Sequence, residues 1–118
     1  MNTLELYRRA QWRLDRGDPA GAVDDLLSVV AAEPSATAPA LLLARAYFHS
    51  AQLARAAEAY RRVIELDPAD WEARIGLARS LERAGRPAEA LPHARVAAAL
   101  TPHPEVAAIV ARLTARAA

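Results

Sequence analysis

An internal period of 34 residues constrains the fold of this chain more than any other feature of its sequence. Several independent positions keep this step: small residues, turn residues and the prolines that end each unit. They are Ala10, Ala44 and Ala78; Gly17, Ala51 and Gly85; Ala22, Ala56 and Ala90; and Pro34, Pro68 and Pro102. A period shared by independent positions indicates a repeat protein in which each unit is one supersecondary element.

Each unit has the pattern of two helices joined by a short turn. In the second unit, apolar residues recur at helical spacing from about residue 38 to 50, and again from about 53 to 66. Gly85 suits the end of one helix and Pro87 the start of the next, so they mark the turn of the third unit. A single hairpin cannot bury its apolar face alone, and about three stacked copies are needed for a core.

These residues resemble the tetratricopeptide repeat family over nearly the whole chain. The resemblance implies an all-α fold: a right-handed α-solenoid of three antiparallel helix hairpins plus a capping helix, seven helices in a single domain. The predicted limits are repeat 1 at residues 3–36, repeat 2 at 37–70, repeat 3 at 71–104 and the capping helix at 105–118. Unit one departs from the family pattern, because Arg9 and Arg13 stand at positions that are usually apolar or aromatic.

The last segment has one apolar helical face, formed by Val106, Ile109 and Leu113. Arg112 and Arg116 lie mostly off that face, where they suit the negative end of the helix dipole. We therefore expect this helix to cover the third hairpin.

Composition excludes several functional classes. The formal net charge of +1 argues against a nucleic-acid binder, which should be clearly basic. The absence of cysteine excludes disulfides, thiol catalysis and cysteine-bound zinc. The N-terminus lacks the signal-peptide pattern and no apolar stretch approaches the roughly 18 residues of a membrane span, so we expect a cytoplasmic protein. The composition is rich in alanine and contains arginine but no lysine, which favours a bacterial source.

No catalytic or metal-binding arrangement is predicted. His49, His93 and His103 do not pair with another ligand at the spacing of a helical metal site, so no metal or cofactor is expected. Asp24 and Asp25 are adjacent on a helix and point in different directions, which favours a solvated face over a carboxylate dyad. The chain is predicted not to be an enzyme.

The resemblance implies a function in protein binding, because first helices of the family line a concave groove that receives a peptide or helix. The implied groove residues are Tyr7, Gln11, Leu14, Leu41, Arg45, Phe48, His49, Ile75, Arg79, Glu82, Arg83 and Ile109. Among them, one apolar residue per unit forms a row: Tyr7, Leu41, Ile75 and Ile109. Arg45 and Arg79, with Arg83 nearby, form a parallel cationic row. Such a surface fits a partner with apolar and acidic residues. The alternative is that the apolar row packs between helices and the arginines are merely solvated.

One mode of binding found in the family is not expected. Its co-chaperones hold the acidic C-terminus of heat-shock chaperones with Lys, Asn and Arg side chains. The matching residues of this chain are Tyr7, Gln11, Leu42, Glu72 and Gly76, and none of them is basic.

Two single residues complete the predictions. Trp12 lies where a preceding repeat would pack, so it favours self-association or docking, unless it folds back on its own hairpin. A structural protomer that self-associates through the groove or this end is thus the second functional hypothesis, and an RNA-binding repeat is a weak third. Pro92 falls inside a predicted helix, where it should cause a kink or a delayed start and a looser third hairpin.

Overall fold

The computed structural model describes all 118 residues, which form seven α-helices and no strand. The helices are α1 (Thr3–Asp15), α2 (Pro19–Ala32), α3 (Thr37–His49), α4 (Leu53–Leu66), α5 (Trp71–Arg83), α6 (Pro87–Leu100) and α7 (Pro104–Ala117). Each helix packs mainly against its neighbours in the chain, which produces three stacked hairpins with α7 against the third. The stack measures 48 × 24 × 21 Å, so the chain is an elongated helical solenoid.

Alanines allow the two helices of each hairpin to approach closely. The alanines that keep the 34-residue period in first and second helices have no exposed surface: Ala10, Ala44 and Ala78, and Ala22, Ala56 and Ala90. A larger side chain at these crossings would separate the helices and leave voids.

The turns inside the hairpins use a left-handed residue at the same repeat position. Gly17 and Gly85 have φ angles of 78° and 81°, and Ala51 has a φ angle of 60°. Ala51 thus has the same left-handed backbone conformation as the two glycines at this repeat position. The alanine side chain makes this turn more strained than the other two.

The apolar core is unevenly distributed along the stack. A cluster of 19 buried residues joins the second and third hairpins to α7. Only six buried residues, among them Leu26 and Leu43, form the cluster that attaches the first hairpin. The first hairpin therefore depends less on apolar burial than the rest of the molecule.

An ion-pair cluster compensates for this smaller core. Asp25 on α2 is only 4% exposed, which corrects the expectation of a solvated face, although Asp24 beside it is exposed. The Arg9 Nε donates to Asp25 Oδ2 at 2.9 Å, and the Arg13 Nη1 contacts the same oxygen at 3.1 Å. Hydrogen bonding from Arg9 holds the pKa of Asp25 below its ordinary value, against the opposing effect of burial. These contacts explain the two arginines at apolar repeat positions.

Pro92 does not delay the start of α6 and does not loosen the third hairpin. Helix α6 begins at Pro87 and continues as one segment through Pro92, so the predicted delayed start is wrong. Its inner alanines, Ala94 and Ala97, are fully buried, and α6 packs against α5 as closely as the helices of the other hairpins. The Pro92 ring is exposed, so the proline disturbs the outer face of the helix and spares the packed one.

Candidate functional site

A depression with a mixed polar and apolar lining lies between α3, α5 and the start of α7. It is a cavity of about 210 Å³, and it brings together predicted groove residues from the second and third units. Those residues are Arg45, Phe48, His49, Ile75 and Arg79. We call the surface formed by the first helices around this cavity the groove.

Tyr60 and Gly76 form the floor of the cavity. A Cβ atom at Gly76 would lie 2.2 Å from the Tyr60 ring, so only glycine allows this ring to pack against α5. Burial raises the pKa of Tyr60 to about 12, and the nearby charges of Arg45 and Arg79 oppose that shift. The tyrosine therefore stays neutral, as a rigid aromatic base for the cavity.

Arg45 is neutralised by an acidic neighbour from the next unit. Its Nη2 donates to Glu72 Oε2 on α5 at 2.7 Å, and both side chains are roughly half exposed. This ion pair spans the cavity mouth between the second and third units. It leaves Arg45 less available to a ligand than the sequence alone indicates.

Arg79 and Arg83 meet an aromatic ring and no acid. The guanidinium carbons of Arg79 and Arg83 lie 5.4 Å and 4.8 Å from the centre of the Phe48 ring. Arg83 also donates to the Phe48 carbonyl oxygen at 3.5 Å, and neither arginine forms a salt bridge within the chain. The edge of the same ring contacts His49, with ring centres 5.4 Å apart. Phe48 thus holds two exposed cations in fixed positions.

Glu82 is engaged by the capping helix. It is 7% exposed, and it accepts hydrogen bonds from Arg112 Nε at 3.0 Å, Arg112 Nη2 at 2.7 Å and Arg116 Nη1 at 2.7 Å. Hydrogen bonding from Arg112 holds its pKa below the ordinary value, despite burial. The predicted groove residue Glu82 is therefore already bound, and the two arginines fasten α7 to α5.

Ile109 faces the core and not the groove. It is 3% exposed, because α7 is rotated relative to the other first helices. Helices α1, α3 and α5 begin at residues 3, 37 and 71, but α7 begins at residue 104, one residue earlier than the period places it. The one-residue shift puts Ala108 where Ile109 was expected. It also makes Arg112 and Arg116 the counterparts of Arg79 and Arg83.

The predicted residues of the first unit lie apart from the cavity. Tyr7 and Leu14 are half-buried and Gln11 is exposed on α1. Leu14 lines a separate depression together with Leu42 and Arg45, and Tyr7 lines another near the start of the chain. Leu41 is half-buried and packs against the core.

Trp12 is exposed at the end of the stack that α1 forms. Its exposed fraction is 56%, whereas its counterparts in later units, Ala46 and Ser80, have no exposed surface. The Arg16 guanidinium carbon lies 4.6 Å from its ring centre, so one face of the indole contacts a cation.

Two aromatic residues that line the cavity, Tyr60 and Trp71, are not among the groove residues predicted from the sequence. Tyr60 is on a second helix, and Trp71 begins α5, stacked on His103 with ring centres 5.5 Å apart. A sequence signal for Tyr60 was available. The preceding unit has Leu42 at the position equivalent to Gly76, so the glycine departs from the repeat and leaves room for the Tyr60 ring.

The histidines occupy three separate places. His49 lies at the cavity, His93 is half-buried on α6, and His103 caps α7 by accepting from the Glu105 amide at 3.2 Å. Burial lowers the pKa of His93. No group of His, Cys, Asp or Glu side chains is arranged to hold a metal ion. None of the helices has the length and apolarity that crossing a membrane requires.

Stacked two-helix units with a lined groove define a helical-repeat protein. A family model described as tetratricopeptide repeat matches residues 7–61 and 41–103. The chain belongs to the tetratricopeptide repeat family, whose members are in general non-enzymatic scaffolds for protein interaction. No curated protein matches the chain.

Solved structures share the fold at low sequence identity. The MamA protein superposes with a TM-score of 0.91 at 18% identity, covering 98% of this chain and 63% of MamA. The first tetratricopeptide domain of Spaghetti (RPAP3), bound to the HSP90 peptide SRMEEVD, gives 0.89 at 18% identity, covering 95% of this chain and 90% of the other. The Yersinia enterocolitica translocator chaperone SycD, in an alternative dimer, gives 0.82 at 19%, covering 98% and 88%. This chain thus spans less than two thirds of the MamA chain.

Proposed function

We propose that this chain is a non-enzymatic binding module that holds an extended or helical segment of a partner protein in the groove. The observation that carries the proposal is the cavity between α3 and α5, where Phe48, Trp71 and Ile75 adjoin charged side chains. A few apolar anchors beside polar groups are the usual composition of a peptide-binding groove. The RPAP3 domain of the same fold is a precedent, because it binds a peptide.

The partner differs from the peptide held by the RPAP3 domain. Residues at the clamp positions of this chain include Glu72, an acid that is paired with Arg45, and Gly76, which is buried against Tyr60, so neither offers a cation to an acidic tail. The proposal therefore concerns a partner that is anchored at Trp71 and Ile75. A cytoplasmic location and a bacterial source stay predictions.

Site-specific crosslinking tests the proposal. A photoreactive p-benzoylphenylalanine at His49, which is exposed at the cavity, should crosslink one defined segment of a partner in living cells. The matched control carries the same residue at Leu27, which is 46% exposed on α2. We expect the synthetic segment to bind the wild-type chain in calorimetry. A partner captured equally from both positions, or a segment without affinity for the wild-type chain, would contradict groove binding.

Trp12 supports a second candidate, a protomer that self-associates through its N-terminal end. The repeat positions equivalent to Trp12 are buried against a preceding hairpin, whereas the indole is exposed. Exposed aromatic residues of this kind often anchor interfaces. SycD, which shares the fold, occurs as a dimer. Trp12→Glu should reduce the solution mass measured by light scattering, and a monomeric wild-type chain would exclude this candidate.

A further inference from the structure

Charged neighbours make the arginines of the groove unequal. Repeat-equivalent cations stand on three consecutive first helices, at Arg45, Arg79 and Arg112. Glu72 forms a salt bridge with Arg45, and Glu82 forms salt bridges with both Arg112 and Arg116. Arg79 and its neighbour Arg83 contact the Phe48 ring and form no salt bridge. Among these arginines, they are the two without an acidic partner.

Phe48 fixes these two cations in advance of any ligand. Both guanidinium groups lie against its ring, and the Phe48 carbonyl oxygen accepts from Arg83. Stacking on an aromatic face restricts a flexible arginine while its donors stay free for an anion. Two like charges held near the same ring also repel each other, and an anion between them relieves that repulsion. The arrangement is a pair of cations, suited to an anion, beside a cavity that also has apolar lining residues.

We propose that Arg79 and Arg83 bind the side-chain carboxylate of a glutamate or aspartate in the partner segment, while the adjoining cavity holds an apolar side chain of that segment. This inference rests on the proposed function, since it assigns the ligand chemistry within the same groove. A planar guanidinium matches a carboxylate with two parallel hydrogen bonds. A side chain is favoured over a chain terminus because a second depression, lined by Leu14, shares Arg45 and His49 with the cavity, so a bound segment can continue past the cavity towards the first unit.

Three pentapeptides test the inference on the full chain. The first is acetyl-Ala-Leu-Glu-Leu-Ala-amide, the second replaces its glutamate by glutamine, and the third is the glutamine peptide with a free C-terminal carboxylate. Binding is followed by the Nε–Hε signals of arginine side chains in NMR spectra. We expect the glutamate peptide to shift the Arg79 and Arg83 signals and to bind roughly tenfold tighter than either glutamine peptide, as charge-assisted hydrogen bonds allow.

A matched pair of variants locates the effect. Arg79→Gln with Arg83→Gln should abolish the preference for glutamate, whereas Arg61→Gln with Arg95→Gln, which removes two exposed arginines from second helices outside the groove, should retain it. Both changes are at side chains outside the core, so folding is retained and is checked by circular dichroism.

The possible results separate this inference from the proposed function. Equal binding of all three peptides at the groove would overturn the carboxylate site and leave groove binding intact. Tighter binding of the peptide with the free terminus would overturn the assignment to a side chain. Loss of the preference in Arg61→Gln with Arg95→Gln, or no shift of the Arg79 and Arg83 signals by any peptide, would also overturn it. Groove binding itself is judged by the crosslinking at His49.

Discussion

The helices carry three pairs of arginines four residues apart, and the pairs differ in what they contact. They are the first pair, Arg9 and Arg13, the middle pair, Arg79 and Arg83, and the last pair, Arg112 and Arg116. The first and last pairs each surround a buried carboxylate, Asp25 or Glu82. The middle pair contacts the ring of Phe48 and no acid.

This difference separates structural arginines from available ones. A carboxylate that is buried and hydrogen-bonded to two arginines holds its helices together, and removing it leaves cations without their partner. In the pair that contacts an aromatic ring, only one long hydrogen bond is formed, from Arg83 to the Phe48 carbonyl oxygen, so the other donors are free. Identical residues at identical spacing thus form buried ion pairs at the two ends of the stack and, in the middle, the carboxylate site that we propose.

Removing the acid of the first pair should have the largest effect. Asp25→Ala eliminates charged hydrogen bonds at a side chain that is almost fully buried, in the hairpin with the smaller apolar core. We expect the free energy of unfolding in urea to fall by about 2–3 kcal/mol. The control is Asp24→Ala at the exposed neighbour, which should change it by less than about 0.5 kcal/mol. Equal stability of the two variants would contradict a structural role for the first pair.

The acid of the last pair should matter less. Glu82→Gln weakens the contact between α5 and α7, but Arg112 and Arg116 are 50% and 47% exposed and water replaces part of the lost interaction. We expect a loss of about 1–2 kcal/mol, with faster hydrogen exchange in α7 than in the hairpins. Glu72→Gln, in an exposed pair, is the control and should cost less than about 0.5 kcal/mol. Unchanged exchange in α7 would show that apolar contacts alone hold this helix.

Acid should act through the same two carboxylates. The pKa values of Asp25 and Glu82 are lowered in the folded chain, so their contribution is complete above the ordinary pKa of about 4. It is lost as the pH falls through the lowered values, because the unfolded chain then binds more protons. Urea unfolding between pH 7 and 3 should therefore show a smaller decline for Asp25→Asn with Glu82→Gln than for the wild type. Parallel declines would contradict this linkage.

The middle pair should have the smallest effect on stability. Arg79→Gln with Arg83→Gln removes no salt bridge, and it relieves repulsion between two cations. We expect the free energy of unfolding to change by less than about 0.5 kcal/mol. The matched variant Arg112→Gln with Arg116→Gln should lose stability comparable to that of Glu82→Gln. Similar losses in both double variants would erase the distinction between the pairs.

The 34-residue period was sufficient to predict the helices and the positions of the hairpin turns. It failed where the chain departs from its own repeat. The connection before α7 is one residue shorter than the others, and this single shift moved Ile109 from the predicted groove into the core. Pro102 keeps the period because it stands before the missing residue, so it gave no sign of the shorter connection.

The ion-pair clusters could be recognised only in part. Arg9 and Arg13 were seen to depart from the repeat, but Asp25 was not connected with them. In the next unit their counterparts are Leu43, Tyr47 and Ala59, so all three charges replace uncharged residues within one hairpin. That joint replacement was the available signal.

Which arginines of the groove are free could not be predicted from the sequence, and the reason is a different one. Whether Arg45 or Arg79 is free depends on Glu72, which lies 27 residues beyond Arg45 and only seven before Arg79. Sequence spacing does not decide which arginine this acid contacts. The stacking of both middle arginines on Phe48 likewise depends on the close packing of α3 and α5.

Peptide affinity and unfolding free energy, measured on the same samples of the two double variants, test the central claim most directly. The account predicts that Arg79→Gln with Arg83→Gln weakens binding of the glutamate pentapeptide by roughly tenfold without a change in stability. For Arg112→Gln with Arg116→Gln it predicts a loss of stability without a change in affinity for the glutamate pentapeptide. Unchanged affinity in the middle-pair variant, or equal loss of affinity in both, would contradict it.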